Sequence, residues 1–378
     1  MSEIRILEIF REPIANGGQE SFIMNMYRNV DRKKVQFDFL TPFTCDNRKL
    51  KEEVERLGGH IYHYDHVFGE KNNQVFKKCV FDFLMDHHYD TVHFHSGSTY
   101  ALMEGSKIAH DMGVKNIIVH SHCGGFADLK YHIIKILSVP YLMKYPTDYF
   151  ACSHLAAKWK FPARIIRKKR YKVIKNAIDT EKFCYLPEIR EKYRKQFSVE
   201  DRLVIGHVGR FEVQKNHKFI LEVFQQLHRK NPESDLFLIG EGELRQECEQ
   251  LAGKLRIQDS VHFLGLRTDI PELLNMMDLF LMPSFFEGLP VVGVEAQATG
   301  LPVYLSDNIA KELPVKDLAF YLSLKDPAEQ WAECILKNQT MFVRRNTTQE
   351  IKEQGYEIKA AARQFENYYL SMNGPANG

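Results

Sequence analysis

Asp278-Leu-Phe-Leu-Met-Pro-Ser-Phe-Phe-Glu-Gly-Leu-Pro-Val-Val-Gly-Val-Glu-Ala-Gln-Ala-Thr-Gly-Leu-Pro-Val-Tyr-Leu-Ser-Asp307 reads as strand, tight loop, short helix and strand. Asp278 to Met282 is a nearly continuous apolar run, as expected for a parallel strand buried on both faces. Glu287-Gly288-Leu289-Pro290 forms the turn, with Pro290 where a helix starts and needs no N–H. Val291 to Thr299 is the expected helix, Gly300 its stop signal, and Pro302 to Leu305 the next strand. Glu287 therefore stands just before the helix and Glu295 inside it. Both can reach the crevice at the carboxyl end of the first strand, beside helix N–H groups that favour anions. A surface helix can also carry two unrelated glutamates. The flanking Gly288, Pro290, Gly300 and Pro302 favour a defined turn on either side, and two hydroxyl-gripping carboxylates beside an anion site suit a nucleotide-sugar.

The rest of the chain repeats this alternation. Ile4–Phe10 is a buried first strand, followed by a Gly17-Gly18 loop and a helix from Ser21 to Asn29. That arrangement puts backbone amides at a helix start, which suits phosphate, although the Gly-x-Gly-x-x-Gly fingerprint of dinucleotide sites is absent. Strands are expected at Val35–Leu40, His60–Tyr62, Asp90–His95, Asn116–His120, Asp148–Ser153 and Tyr171–Lys175, with helices at Leu50–Leu57, Val75–Met85 and Met103–His110. The chain changes character at Phe183, where a charged entry helix opens a second series. Its strands begin at Leu203, Asp235 and Val261, and the stripe Phe219, Ile220, Val223, Phe224, Leu227 marks a helix. Two doubly wound parallel sheets are expected, and the tail from Met372 is expected to be disordered.

Bulk properties narrow the class. At 378 residues, two domains are expected. The composition, 26% charged and 44% hydrophobic with net charge +2, gives no global pull toward nucleic acid. Seven scattered cysteines without a Cys-x-x-Cys spacing fit reduced thiols rather than a disulfide frame or zinc site. No signal peptide or membrane span is evident, so the expectation is a cytoplasmic protein working at the inner face of the membrane.

Three constellations carry chemistry. Arg210 and Lys215 lie in the loop leaving the first strand of the second series, at the sheet edge of Glu287, where two cations can hold a diphosphate. His93-x-His95 and His120-x-His122 fall at strand ends, and each pair shares one face. A third metal ligand is not evident, since Asp90 and Cys123 lie on the opposite face, and no Asp-x-Asp is present to place a divalent ion on a diphosphate. No metal or other cofactor is therefore expected, and one imidazole is expected to meet a sugar hydroxyl. The basic stretch Lys158–Lys172, interleaved with Trp159, Phe161 and Ile166, suits an anionic membrane surface or nucleic acid, and the apolar Tyr131–Pro140 run before it favours lipid slightly; a solvated basic face is the alternative.

The chain resembles the retaining glycosyltransferases of family 4, particularly the bacterial exopolysaccharide and capsule type. The matching pieces are Gly17-Gly-Gln-Glu20, Asp90-Thr-Val-His-Phe-His95, Ser121-His122, Ala151-Cys-Ser153 and Lys175-Asn-Ala-Ile-Asp179 in the first half. The second half adds Val208-Gly-Arg210 with Lys215-Asn216, Leu238-Ile-Gly-Glu-Gly-Glu243, Phe263-Leu-Gly265, Pro283–Pro290, Glu295-Ala-Gln297 and Gly300-Leu-Pro302. They span nearly the whole chain in family order. The resemblance implies the GT-B fold: two Rossmann-like domains, 1–182 and 183–356, facing each other across a cleft, with a last helix near 357–371 returning to the first. It implies that Arg210 and Lys215 bind the donor diphosphate beside Gly209 and that Glu287 holds sugar hydroxyls. Gly288 and Leu289 amides would lie near the sugar and phosphate, Glu295 on the ribose, and Gly265 and Leu266 by the base. Gly18 would approach the phosphates, and His122 matches an active-site histidine. The family often has Asn-Gly where this chain has Asn176-Ala177, which is expected to alter only a local loop.

The implied reaction moves a hexose or N-acetylhexosamine from a UDP-sugar to a lipid-linked or oligosaccharide acceptor, with retention and without metal. Two rivals remain at this level. A nucleotide-sugar epimerase would turn over donor without acceptor, and a non-enzymatic nucleotide-sugar sensor would bind donor and make no product.

Overall fold

A computed structural model describes residues 3–14, 18–67, 69, 72–122, 129–339 and 342–373, with backbone alone at 129–132 and 373. The chain divides into two compact units, the first formed by residues 1–177 and 358–378 and the second by 178–357. The change of unit expected at Phe183 falls earlier, at Ile178, because Ile178 and Phe183 are both buried in the second unit's core.

The first unit alternates β1 (Ile4–Phe10), α1 (Gly18–Asn29), β2 (Val35–Phe43), α2 (Arg48–Arg56), β3 (Ile61–His66), α3 (Asn72–Asp86), β4 (Thr91–His95), α4 (Thr99–Asp111) and β5 (Asn116–Ser121). It continues through α5 (Leu129–Lys144), β6 (Asp148–Ala151), α6 (His154–Lys160), α7 (Ala163–Arg167) and the short β7 (Lys172–Val173). Its strands form one sheet in the order β3-β2-β1-β4-β5-β6-β7, every pairing parallel. The strand order reverses between β1 and β4, the switch point at which open α/β sheets place ligands. Ala177 does not adopt a left-handed backbone, so that loop has no need of the family's glycine.

The second unit opens with α8 (Pro187–Phe197), Pro187 in its first turn, and then β8 (Leu203–Val208), α9 (His217–Lys230), β9 (Ser234–Ile239), α10 (Arg245–Leu255) and β10 (Val261–Gly265). There follow α11 (Ile270–Met276), β11 (Leu279–Met282), α12 (Val291–Ala298), β12 (Val303–Ser306), β13 (Ala319–Leu322), α13 (Ala328–Gln339) and α14 (Thr348–Glu353). The order β10-β9-β8-β11-β12-β13 is again parallel, with its switch between β8 and β11. Apolar strands bury one side chain after another toward helices on both faces, so each sheet is flanked by two core clusters.

The carbonyl end of α11 is a fixed point of the second unit. Arg344 donates to the carbonyls of Leu274, Asn275, Met277 and Thr299. Arg190 reaches Asn275, Met276 and Met277, and Arg194 reaches Met276. Asp278 accepts from Arg190 at 2.5 Å, from Arg194 at 3.2 Å and from the Val204 amide at 2.7 Å. The last four carbonyls of a helix lack intrahelical partners, and cations there also complement the helix dipole.

After the second unit, α15 (Ile358–Asn373) belongs to the first. Phe365 and Tyr369 are buried against Phe37 and Phe150, and Glu366 accepts from the Asp31 amide at 2.8 Å. Met372, expected in a disordered tail, is therefore helical, and residues 374–378 lie outside the described residues.

Candidate active site

The loops leaving β8, β9, β10 and β11 lie at the carboxyl edge of the second sheet. They are hydrogen-bonded strand to strand: Gly209 N–H donates to Ile239 O at 2.9 Å and Gly240 N–H to Gly265 O at 2.9 Å. Gly240 sits at φ +142, and a Cβ there would lie 2.1 Å from Gly209 O, so only glycine admits this approach. Gly265 (φ +67) is the second such position, where a Cβ would lie 2.9 Å from Glu241 Oε1.

The loop after β8 is sewn to the loop after β11. Phe285 N–H donates to Gln214 O at 2.9 Å, Gln214 Nε2 to Phe286 O at 3.0 Å, and Asn216 Nδ2 to Pro283 O at 3.2 Å. Asn216 occupies the left-handed region (φ +57), which an asparagine tolerates better than most residues. This stitching sets Lys215 Nζ 2.5 Å from Glu287 Oε1, with only 16% and 11% of the two side chains exposed. A strong cation–carboxylate pair thus forms across the switch point. Arg210, one loop position past Gly209, is exposed and has no side-chain partner among the described residues.

Glu295 lies on α12, with no side-chain hydrogen bond among the described residues. Burial pushes its carboxyl up to about 7, against a smaller opposing pull from Lys182. Gly288 is buried in the turn before α12, and the Leu289 side chain is in the core. Leu266 is 71% exposed directly after Gly265. The second-unit residues singled out from sequence thus lie on adjacent loops of one sheet edge and on α12. Lys215 and Glu287 touch.

The first unit holds a polar cluster that the sequence only half revealed. Strand register pairs Glu8 with His93 and His95 with His120, so side chains from β1, β4 and β5 share one face. Glu8 Oε2 lies 2.6 Å from His95 Nε2 and 3.2 Å from His93 Nδ1, while Oε1 accepts from Tyr369 Oη at 2.8 Å. Tyr369 Oη is also 2.7 Å from His93 Nδ1, and His95 Nδ1 is 2.8 Å from His122 Nε2. Burial alone would raise the Glu8 carboxyl; His93 and His95 outweigh it and hold the group below its usual range. Burial lowers His95 to about 4 and holds His120 and His122 well below their ordinary value, the neighbouring imidazoles adding to it, so these three rings are neutral at pH 7.

His122 lies at the end of β5, against Phe22 of α1 at a ring separation of 5.4 Å. Gly18, exposed, begins that helix; Gly17 and Cys123 lie outside the described residues. Glu8 and Tyr369 were not picked out from the sequence. The signal for Glu8 was there: one acid inside an otherwise apolar buried strand must have a partner. Asp90, weighed as a third metal ligand, instead pairs with Lys115 at 2.9 Å near the surface.

The basic stretch is not one lipid-facing element, which corrects the expectation of interleaved apolar contacts. Phe161 and Ile165 are in the core, Ile166 packs against it, and Lys160 is buried with Nζ donating to Gly97 O. The basic residues Lys158, Arg164, Arg167, Lys168, Lys169 and Arg170 are exposed. The exposed apolar residues lie instead on α5, where Ile133, Ile136, Leu137 and Pro140 follow helical spacing. Lys135 Nζ donates to Lys158 O at 2.6 Å, tying α5 to α6. No helix among the described residues is long and apolar enough to cross a membrane.

Comparison with known proteins gives the family and the fold. The family model for group 1 glycosyl transferases matches residues 188–313, which contain Arg210, Lys215, Glu287 and Glu295. A Bacillus subtilis (strain 168) protein named glycosyltransferase EpsF is 33% identical over 343 residues, covering 89% of this chain and 88% of its own. The Escherichia coli UDP-Gal:alpha-D-GlcNAc-diphosphoundecaprenol alpha-1,3-galactosyltransferase is 29% identical over 263 residues, 65% of this chain and 66% of its own. Among solved structures, Anabaena Alr3699/HepE in complex with UDP and glucose aligns with TM-score 0.76 at 19% identity, covering 98% of this chain and 100% of that one. Sucrose-phosphate synthase from Thermosynechococcus elongatus aligns with TM-score 0.78 at 16% identity over 98% and 99% of the two chains. At such identities the structures speak for the fold alone, the two-sheet GT-B architecture.

Proposed function

The chain belongs to the group 1 glycosyltransferases, and on that premise we propose that it transfers a hexose or N-acetylhexosamine from a UDP-sugar to a lipid-linked or oligosaccharide acceptor in exopolysaccharide or capsule synthesis. The observation that carries this reading is the Lys215–Glu287 pair at the carboxyl edge of the second sheet, beside the exposed Arg210 and the partly buried Glu295. On donor entry, Lys215 exchanges Glu287 for a phosphate oxygen, and Glu287 exchanges Lys215 for sugar hydroxyls. Arg210 forks onto the diphosphate past Gly209, and the amides of Gly288 and Leu289 face the sugar and phosphate. Glu295 accepts from the ribose hydroxyls, and Gly265 and Leu266 border the base. Within the first unit, the family resemblance assigns Gly18 and His122 to the same chemistry.

Neither glutamate is placed as a nucleophile, since one is bound to a lysine and the other lies within a helix. Retention then follows from attack on the donor face that the diphosphate leaves. The acceptor oxygen–C1 bond forms, the C1–phosphate oxygen bond breaks, and the leaving phosphate takes the acceptor proton. Arg210 and Lys215 stabilise the charge that develops there, so the work is positioning and electrostatics without a metal on the diphosphate. The name of the E. coli relative supports a UDP-sugar donor and a diphospholipid acceptor. For acceptors embedded in lipid, the apolar stripe of α5, flanked by the exposed cations of α6 and α7, supports peripheral contact with an anionic membrane.

The test is a panel of UDP-sugars incubated with membrane extracts containing lipid-linked intermediates, with the anomeric configuration of the product determined. Acceptor-dependent transfer with retention is expected. Conversion of donor without acceptor would indicate an epimerase instead, and tight donor binding with no product from any acceptor a sensor.

A further inference from the structure

A buried imidazole normally finds a hydrogen-bond partner for each nitrogen, and an unpartnered one calls for an explanation. Among the described residues, three nitrogens of the first unit's cluster have none: His93 Nε2 and both Nδ1 and Nε2 of His120, on side chains wholly buried. The surrounding bonds fix where their lone pairs lie. Tyr369 Oη donates to Glu8 Oε1, and His93 Nδ1 lies against Glu8 Oε2 and that Tyr369 oxygen, so His93 Nδ1 faces acceptors. The orphaned Nε2 of the same ring lies on the side away from that carboxylate. By the same reasoning His95 carries its proton on Nε2, against Glu8, and its lone pair on Nδ1. Neither ring nitrogen of His120 has a partner among the described residues. Of these candidate ligand nitrogens only His95 Nδ1 has a partner among the described residues, His122 Nε2 at 2.8 Å.

We propose that His93, His95 and His120 hold a first-row divalent metal ion of the zinc class in the core of the first unit. One ligand atom from each ring lies within 4.8 Å of the other two. Zinc–imidazole bonds of about 2.0–2.1 Å set ligand nitrogens roughly 3.4 Å apart in a tetrahedron, so each ring needs to close in by under about 1 Å. His122 Nε2, 2.8 Å from His95 Nδ1, stands next to the fourth position. Glu8 supplies the outer shell, bound to both His93 and His95 through the nitrogens that do not ligate, and Tyr369 braces it. A carboxylate fixing tautomer and ring orientation in this way is the usual support of a histidine ligand. An all-imidazole set suits zinc, cobalt, nickel or copper and is a poor match for magnesium or calcium. The ion ties β1, β4, β5 and, through Tyr369, α15 into one unit. It is distinct from the donor chemistry proposed above, which puts no metal on the diphosphate, and the inference does not rest on that reading.

The untagged chain, purified from zinc-supplemented cells and dialysed, should retain about one zinc ion per chain by mass spectrometry. X-ray absorption at the zinc edge should show a nitrogen shell with imidazole scattering and no sulfur, and the ion should be lost in His120→Phe. Metal-free wild type that gives no tetrahedral cobalt spectrum on loading would overturn the proposal. So would a sulfur-containing shell, or a folded His120→Phe chain with unchanged stoichiometry. Should His120→Phe fail to fold, the composition of the wild-type shell decides.

Discussion

Glu295 shows how a binding group's burial becomes a measurable property. Its carboxyl titrates near 7 in the folded chain against 4.5 ordinarily, because burial disfavours the charge. Between those values the folded chain keeps a proton that the unfolded chain has lost, so this group's contribution to stability falls as pH rises through the window and stays low above it. Glu295→Gln removes that penalty. The variant should gain stability over wild type at pH 8 relative to pH 5, by on the order of 1–3 kcal/mol given the group's partial exposure, in urea unfolding of the second unit; an equal difference at both pH values would contradict it. Glu287, Glu295, Arg210 and Lys215 were legible in the sequence because glycine and proline mark the turns that carry them. Glu8 and the union of the four histidines were not. Their proximity depends on strand register between β1, β4 and β5, which no local pattern encodes.

Among elements, the strands and most helices followed from apolar periodicity, whereas α5 was obscured by Pro140 within it and by an apolar composition that periodicity resolves poorly. Its exposed stripe carries a prediction. Ile136→Asp with Leu137→Asp should abolish sedimentation with anionic phosphatidylglycerol vesicles while leaving the thermal melt unchanged, since both side chains are largely in solvent. Vesicle binding equal to wild type would remove α5 from the membrane account. The C-terminal end of α11 carries another. Burial holds the Arg344 guanidinium down at about 9, with Arg190 beside it adding to the shift, yet Arg344 still serves four backbone carbonyls. Arg344→Ala takes the guanidinium from Leu274 and Thr299 and leaves Asn275 and Met277 to Arg190 alone, and should cost roughly 2–4 kcal/mol, seen as a lower melting temperature of the second unit; an unchanged melt would show the carbonyls to be satisfied otherwise.

For the whole molecule, two sheets each reverse strand order once, and the residues assigned to sugar transfer gather at the carboxyl edge beside each reversal: Gly18 and His122 in the first unit, Gly209 to Lys215 and Glu287 in the second. Sequence alone could outline this plan, because parallel strands announce themselves as apolar runs. It could not place the unit boundary at Ile178, which core packing decides. The account's central claim is that the second unit's carboxyl edge binds the donor diphosphate through Lys215. Calorimetric titration of a UDP-sugar into wild type and Lys215→Ala tests it directly. Losing a charge-assisted contact of about 1.5–3 kcal/mol should weaken binding roughly ten- to a hundredfold. An affinity equal to wild type in the folded variant would contradict the claim.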